Sequence, residues 1–526
     1  MDLDGFFRHH GLRPDARPFD NSDDAKQDTV FGELRGVYRH PDWRKFFGDP
    51  AQPATAVVFG RRGAGKTALR LQMKKELAEY NRAAEADGRR PVMAVEYVEF
   101  NAFQAAFRRR LGPVASDFRG FDRWLLPDHL DALLSLAATH LVTSLLERAD
   151  AEIKPLRQLE RARRRDLLRL ALLYDNPPPG PGRRERWLAL GRRIGFFSAI
   201  GAPWRRWESF FGRYGNFFAG LDKFFGVLAA AGLLYSAFLM RGAAAWPWLA
   251  AAALPACLLC CVPGWRKGRA VRRKAGEMAS AVWILPDSES RRADRRACLR
   301  EFRGSDFAAL AVPPETGKAV RESRDFDAGG PVSGRFELME ILIDLLHRTG
   351  CAGLVVVVDE VDEPELIGGD IDPMWAFVRS LFDNKLLQFP GLGIKLLLPD
   401  ECLRKLDKED RAFKNKARPD KQNLVRSLEW SGAALIGLAD RRLEACALDG
   451  ANPPRIQSLF APEVAMRLQT EFESLRCPRR LFRLLDRAIK LHLSRHTDAA
   501  PEWLISDVTF ELAKVECEGL ERIARD

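Results

Sequence analysis

Four apolar runs lie towards the two ends of the chain, and longer helical patterns separate them. The runs cover Ala56 to Phe59, Pro91 to Asn101, Leu354 to Val358 and Gly391 to Glu401. A short apolar run between turn residues is typical of a strand, and a run without polar alternation is typical of a parallel strand buried on both faces. Because strands alternate with helical patterns, we predict an α/β fold with a doubly wound parallel sheet.

The most apolar stretch of the chain, residues 224–262, contains one charged residue, Arg241. It predicts two helices, residues 224–240 and 243–262, joined by a short loop. Arg and Lys residues flank both outer ends of the stretch, so the positive-inside rule places both flanks in the cytoplasm. We therefore predict a membrane-spanning hairpin that anchors the chain to the cytoplasmic membrane. The alternative is a cytoplasmic protein in which the hairpin is buried or forms a surface for partner subunits.

The net charge and the cysteine pattern indicate which partners and which compartment suit this chain. The 526-residue chain carries a net charge of +11 and has a pI of about 9.3, so its surface attracts nucleotides, nucleic acids or acidic lipids. Nine cysteines are scattered in neither a zinc-ligand nor a disulfide pattern, which favours a reducing compartment. No constellation typical of a protease, a nuclease or a transferase is apparent.

The first apolar run leads into the sequence GRRGAGKT, and a helical pattern follows. This is the P-loop (Walker A) pattern in its strand–loop–helix context, which predicts binding of ATP and Mg²⁺. Backbone N–H groups of such a loop face the phosphates, Lys66 reaches the β- and γ-phosphates, and the Thr67 hydroxyl binds Mg²⁺. The alternative is a glycine-rich turn without a ligand. The predicted nucleotide-binding residues are Gly60, Arg61, Arg62, Gly63, Ala64, Gly65, Lys66, Thr67 and Ala68.

An acidic pair follows the third apolar run. We expect Asp359 to hold Mg²⁺ through water and Glu360 to polarise the water that attacks the nucleotide. The alternative is a core strand that ends in a solvated acidic turn, and Asp362 and Glu363 extend that turn. Asp400 lies at the C-terminal end of the fourth run, at the position where a residue that senses the γ-phosphate is expected.

The C-terminal quarter of the chain reads as helical. Residues 423–447 predict an amphipathic helix, and a second helix opens at Pro478. An arginine at the start of that helix, Arg479 or Arg480, is placed to contact bound phosphates. The alternative is an arginine-rich helix that is simply solvated.

Three stretches, GRRGAGKT, VVVVDEVDE and PRRLFRLLDRAI, resemble the AAA+ and STAND branch of P-loop ATPases, and within it the KAP-type NTPases. KAP-type proteins place membrane-spanning helices between the two nucleotide motifs, and the predicted hairpin of this chain matches that layout. Their acidic motif usually continues with a second aspartate and an arginine, whereas here the run is Asp359-Glu360-Val361-Asp362-Glu363.

The resemblance implies catalytic roles for Lys66, Glu360 and the phosphate-sensing arginines Arg479 and Arg480. It also implies self-oligomerisation or protein partners, and a role in prokaryotic signalling or antiviral defence. An arginine finger supplied by a neighbouring subunit is typical of the class, and the candidates are Arg379, Arg441 and Arg442.

We predict five segments along the chain: a lead-in (1–50), the first half of the ATPase core (51–150), a helical insertion with the hairpin (151–335), the second half of the core (336–440) and a C-terminal helical lid (441–526). The predicted function is a membrane-associated ATPase that acts as a nucleotide-dependent switch or motor. A nucleic-acid-dependent AAA+ ATPase of the initiator or loader kind, with a buried hairpin, is the alternative, and the basic runs RARRRDLLR and VRRKAGE permit it. A regulatory nucleotide-binding scaffold without turnover is the third reading.

Overall fold

The structure is a computed structural model. It describes residues 2–19, 39–111, 123–177, 182–197, 268–282, 284–286, 289–310, 330–450, 452–497 and 500–523, with residues 25, 26, 28, 30, 121, 235 and 238. The predicted hairpin, residues 224–262, lies outside the described residues except for Tyr235 and Phe238. The chain forms two compact units, Met1–Asn101 with Gly350–Asp526, and Ala102–Thr349.

A five-stranded, all-parallel sheet is the centre of the first unit. Its strands are β1 (Ala56–Gly60), β2 (Met93–Tyr97), β3 (Leu354–Val358), β4 (Leu392–Pro399) and β5 (Asn423–Val425). Across the sheet the order is β2-β3-β4-β1-β5. The α/β prediction and the parallel sheet are thus confirmed, and the four predicted strands are present: β3 has the predicted bounds, β1 is one residue longer, and β2 and β4 are shorter.

Burial along each strand follows its place in the sheet. Every residue of β1, β3 and β4 is buried, whereas the edge strand β2 alternates between buried and half-buried positions. This is the pattern expected when helices cover both faces of a parallel sheet. The prediction of one amphipathic helix over residues 423–447 is wrong, because Asn423–Val425 pairs with β1 as β5. The helix starts later, after Ser431, whose hydroxyl accepts the Ala434 N–H.

Helices of the first unit pack into two hydrophobic cores. One core joins the sheet to the helix after β1, through residues such as Val58, Met73 and Val355. The other holds the C-terminal helices together and includes the N-terminal Phe6 and Phe7. The helices are Leu3–His9, Trp43–Phe47, Lys66–Ala86, Ile371–Val378, Asn384–Leu387, Asp400–Lys408, Arg411–Ala417, Gly432–Ala445, Pro462–Leu475, Pro478–Arg495 and Asp507–Ile523, with 3₁₀ turns at Arg379–Leu381, Pro419–Lys421 and Ile456–Leu459.

The second unit is helical throughout its described residues. Its helices are Leu126–Glu147, Asp150–Gln158, Arg161–Tyr174, Arg183–Arg193, Glu289–Arg300, Gly304–Ala308 and Gly330–Arg348, and the helix Asn101–Leu111 begins at the boundary. Buried Asp131 accepts hydrogen bonds from Arg335 and from the Tyr174 hydroxyl, at 3.2 and 2.8 Å. This ion pair with its added hydrogen bond ties three helices of the unit together.

The unit boundaries differ from the predicted segments. Helix Leu126–Glu147, which we assigned to the first half of the ATPase core, belongs to the second unit because it packs on Arg161–Tyr174 and Gly330–Arg348. It is also the one helix among the described residues that is long and apolar enough to cross a membrane. However, 67% of its apolar window is buried inside the protein, as in the core helix of a soluble unit.

Candidate functional site

The glycine-rich loop, residues 60–67, connects β1 to the helix Lys66–Ala86, which we call the loop helix. Gly63 and Gly65 have φ angles of +85° and +96°, a region that residues with a side chain rarely adopt. The Lys66 ammonium donates to the carbonyl oxygens of Gly60 and Arg61, at 2.9 and 3.3 Å. The loop therefore curls around the lysine that was predicted to contact phosphates.

Carboxyl groups surround Lys66. Burial lowers its pKa below the ordinary value, and the negative charges of Asp359, Asp362, Glu401 and Asp400 oppose that shift. Asp359 and Asp362 follow β3, and Asp400 and Glu401 open the helix after β4. They lie together because the carboxyl ends of parallel strands share one edge of a sheet. The positive charge of Lys66 and the negative charges of the acids that follow β3 and β4 thus interact at one edge of the sheet.

Asp359, the first residue after β3, is almost fully buried. Burial raises the pKa of its carboxyl group to about 6, and the charges of Arg70 and Lys66 and a hydrogen bond from the Glu360 backbone oppose the rise. Among the described residues, its Oδ2 atom has no hydrogen-bond partner. A buried carboxylate oxygen in this condition is suited to accept a hydrogen bond from metal-bound water.

Glu360 has an unusual backbone. Its φ angle is +60°, which is uncommon for a residue with a side chain and typical of sites where contacts hold a strained conformation. One carboxylate oxygen, Oε1, lies 2.7 Å from both Arg70 Nη2 and Lys26 Nζ. Two cations therefore fix the direction in which this side chain points.

Arg70 brings the two sequence motifs together. It lies four residues after Lys66 on the loop helix, hence on the same face, and it contacts both acids that follow β3. Arg70 and Glu360 are 290 positions apart in the sequence. The loop and the acidic pair consequently meet at one edge of the sheet.

The start of the C-terminal helix Pro478–Arg495 lies against the loop. The Arg479 backbone N–H donates to the Gly63 carbonyl at 3.4 Å, and a Cβ atom on Gly63 would come within 2.8 Å of the Arg479 Cβ. The indole of Trp430 donates to the Ala64 carbonyl at 3.0 Å. Arg479 thus lies beside the loop, and the half-buried Arg480 is next on the same helix.

The remaining residues predicted for the site lie in the glycine-rich loop and in the first turn of the loop helix. Arg61 and Arg62 are exposed, and Arg61 Nε lies 3.9 Å from Asp400 Oδ2. Thr67 and Ala68 are half-buried in the first turn of the loop helix. Gly60 ends β1.

The three arginine-finger candidates all have acidic partners within the chain. Arg379 pairs with Glu409 at 2.7 Å, and the exposed Arg441 pairs with Glu444. Arg442 is buried and pairs with Asp28 at 2.5 Å. Because its guanidinium is enclosed, Arg442 is unsuited to reach a neighbouring subunit.

Sequence reasoning missed Arg70, Lys26 and Trp430. A signal for Arg70 was present, because a residue four positions after Lys66 shares its helix face. Trp430 fell inside the segment that we predicted as helix, which hid its place beside the loop. Lys26 is distant from every motif, and the sequence offers no pattern that links it to Glu360.

Protein-family models, curated proteins and solved structures were compared with the chain, and none of them matches. Within the described ranges, no group of three or more His, Cys, Asp and Glu side chains is arranged to hold a metal ion. A Mg²⁺ ion that takes most of its ligands from phosphate and water needs only one or two protein oxygens.

Proposed function

We propose that this chain binds ATP with Mg²⁺ at the glycine-rich loop and hydrolyses it. The observation that carries the proposal is the contact of Arg70, on the loop helix, with Asp359 and Glu360 at 3.3 and 2.7 Å. That contact places a phosphate-binding type of loop next to a carboxylate pair at the carboxyl edge of a parallel sheet, where such sheets bind nucleotides.

The residues present fit a magnesium–triphosphate. Gly63 and Gly65 allow the loop backbone to wrap around phosphate oxygens, and the start of a 21-residue helix adds a favourable dipole. Lys66 supplies a positive charge for the β- and γ-phosphates. Thr67 and Asp359, whose buried Oδ2 has no hydrogen-bond partner among the described residues, supply side-chain oxygens for the metal or its water. When bound, Mg²⁺ neutralises charge that develops on the phosphates.

Glu360 is the residue we assign to orienting and deprotonating the attacking water. It neighbours the proposed metal position, and its carboxylate is held in a fixed direction. Arg479 is the phosphate-sensing arginine best supported by contacts, because its helix touches the loop at Gly63. Arg480 is kept as a second candidate for that role.

We further propose that the ATPase works at the cytoplasmic membrane as a switch or motor, with residues 224–262 as its anchor. Support comes from the sequence of that stretch and from the resemblance to KAP-type NTPases, which also suggests protein partners or self-oligomerisation and a place in signalling or antiviral defence. The basic flanks of the stretch match the anionic surface of a cytoplasmic leaflet.

The nucleic-acid alternative gains little from the basic runs, because many of their cations already have partners in the fold. Arg161 pairs with Asp306 at 2.6 Å, and Arg163 lies 3.4 Å from Asp344. In the second run, Arg273 pairs with Glu277 and Lys274 donates to the Phe307 carbonyl. A cation engaged in this way is less available to a phosphate backbone.

The test of hydrolysis is Glu360→Gln. We expect ATP to bind with nearly unchanged affinity while turnover falls by about 10²- to 10⁴-fold, because the water loses its base. Glu365→Gln, which neutralises an exposed acid five positions later, is the control and should keep the parent rate. A Glu360→Gln variant that hydrolyses ATP at the parent rate would show that the base is wrongly assigned. Nucleotide binding without turnover in the parent would instead identify a regulatory scaffold.

A further inference from the structure

A single buried guanidinium contacts three carboxylates at the proposed site. Arg70 lies 3.3 Å from Glu96 through Nη1, 2.7 Å from Glu360 through Nη2 and 3.3 Å from Asp359 through Nε. The Arg70 side chain is 6% exposed, and the side chains of Glu360 and Asp359 are 9% and 2% exposed. These contacts join the loop helix to the ends of β2 and β3.

Two of the acids that contact Arg70 also pair with lysines. Lys74, one helical turn later, pairs with the second oxygen of Glu96 at 2.6 Å. Lys26 pairs with Glu360 at 2.7 Å, and its side chain is 44% exposed. Arg70 is therefore the enclosed member of the group, whereas the two lysines lie at its solvent side, where an ion pair contributes little.

The contacts of Arg70 with Glu360 and Asp359 differ in hydrogen bonding, and Asp359 is the acid proposed to bind the metal. Arg70 donates a hydrogen bond to Glu360, but its Nε is not aligned to donate to Asp359 Oδ2, and both of those atoms are without hydrogen-bond partners among the described residues. Arg70 thus holds Glu360 through a hydrogen bond, whereas it contacts Asp359 through charge alone, since Oδ2 accepts no hydrogen bond from it.

We propose that Arg70 is a positioning residue for hydrolysis, which sets the Glu360 carboxylate beside Asp359 while leaving Asp359 Oδ2 available. The inference rests on the proposed ATPase function and adds a residue to it. Arginine suits this task because its planar fork presents several N–H donors in fixed directions and keeps its charge when buried. A lysine has one charged nitrogen and would reach fewer of the three acids.

The test compares Arg70→Gln and Arg70→Lys with the parent in steady-state ATP hydrolysis and in equilibrium binding of a fluorescent ATP analogue. For Arg70→Gln we expect kcat to fall about 100-fold, because a misplaced catalytic group costs that order of rate, while KM and analogue binding change by less than about threefold. Arg70→Lys keeps the charge and should recover part of kcat. Circular dichroism and urea unfolding establish that each variant folds.

Two further variants separate positioning from general damage. Arg442→Gln breaks another buried arginine–carboxylate pair of the same unit, with Asp28, and we expect it to lower stability without the selective loss of kcat. In single-turnover reactions, Arg70→Gln combined with Glu360→Gln should hydrolyse ATP at the rate of Glu360→Gln alone, because Arg70 acts through Glu360.

The outcomes distinguish this inference from the function on which it rests. If the parent neither binds the analogue nor hydrolyses ATP, the proposed function fails. If the parent is active and Arg70→Gln retains its kcat, or if the losses in the double variant simply multiply, Arg70 does not position Glu360 and the inference is overturned.

Discussion

Lys395 illustrates at the scale of one residue how the sheet departs from a purely apolar core. It lies in the middle of β4 with 4% of its surface exposed, and its ammonium donates to the Phe47 carbonyl at 2.8 Å. Burial lowers the pKa of this lysine from 10.5 to about 8. The sequence shows a charged residue in a strand pattern, but only the structure shows that the charge is enclosed.

This burial predicts a pH dependence of stability. The unfolded chain holds the Lys395 proton up to about pH 10.5, whereas the folded chain releases it near pH 8, so the free energy of unfolding should rise with pH between those values. The rise attributable to Lys395 is about 3 kcal/mol in full, and about 2 kcal/mol of it falls between pH 8 and 10. Urea unfolding of the parent and of Lys395→Met at pH 8 and 10 measures it as a difference. Parallel pH dependences in the two proteins would show that Lys395 does not titrate in this way.

A second residue-scale prediction concerns Gly63. An alanine there would meet the Arg479 side chain at 2.8 Å in addition to adopting a φ of +85°. We expect Gly63→Ala to weaken ATP binding by at least about tenfold, because the loop or the Pro478–Arg495 helix must move. Gly88→Ala is the matched control, since Gly88 also has a positive φ, +67°, but open space around it.

The control separates backbone strain from the collision with Arg479. Gly88→Ala should cost about 1–2 kcal/mol of stability and leave ATP binding intact. If both variants bind ATP as tightly as the parent does, the close approach of the Pro478–Arg495 helix to the loop does not affect nucleotide binding.

At the scale of elements, the C-terminal helices are connected to the loop through Trp430. Its backbone N–H donates to the Arg476 carbonyl at 3.1 Å, and its indole donates to Ala64. The indole also meets the buried His40 ring edge to face at 5.0 Å. Trp430 therefore links the loop to the residues that precede the Pro478–Arg495 helix by a hydrogen bond at each of its two N–H groups.

Trp430→Phe should keep the packing of the ring and remove the indole hydrogen bond. We expect a loss of about 1–3 kcal/mol in stability, because the Ala64 carbonyl is left without its donor, together with weaker ATP binding. Trp375→Phe is the control, since it removes an indole bond to Glu409 elsewhere in the same unit. Equal ATP affinities for the two variants would disprove the connection through Trp430.

Elements with strong local patterns were predictable, and those defined by long-range contacts were not. The buried strands β1, β3 and β4 and the loop helix follow from their apolar runs and from the glycine-rich motif. β5 is only three residues long, and its pairing with β1 gives it no distinctive pattern of its own. The composition of helix Leu126–Glu147 does not identify its environment, because its apolar residues suit a membrane and the core of a helical unit equally well.

The candidate site was predictable to a similar extent. Lys66, Asp359 and Glu360 were recognisable because a phosphate-binding loop and a strand-end acid have characteristic neighbours in sequence. Arg70 was recoverable from helical spacing alone. Lys26 and the contact of Arg479 with Gly63 depend on how distant segments fold together, and such contacts leave no trace in one sequence.

At the scale of the whole molecule, the net charge of +11 is an excess of basic over acidic residues. Arginines of the second unit that pair with acids add nothing to this excess, because each pair is neutral. Basic residues flank residues 224–262, where we propose contact with acidic lipid. The charge by itself therefore does not indicate a nucleic-acid partner.

The membrane proposal predicts where the protein is found after cell lysis. The full chain should remain with the membrane fraction after a wash at high pH, which removes peripheral proteins, and a variant lacking residues 224–262 should become soluble, because its apolar anchor is lost. A full chain recovered in the soluble fraction without detergent would contradict the anchor and favour a buried hairpin.

The central claim is that the glycine-rich loop and the acids after β3 bind one magnesium–nucleotide. Electron paramagnetic resonance with Mn²⁺ in place of Mg²⁺ measures the affinity of the metal–ATP complex for the parent, for Lys66→Ala and for Asp359→Asn. We predict that each substitution weakens binding by about tenfold or more, since one residue holds the phosphates and the other the metal. An Asp359→Asn variant that binds Mn²⁺–ATP as tightly as the parent, while Lys66→Ala does not, would show that the two motifs do not share a site.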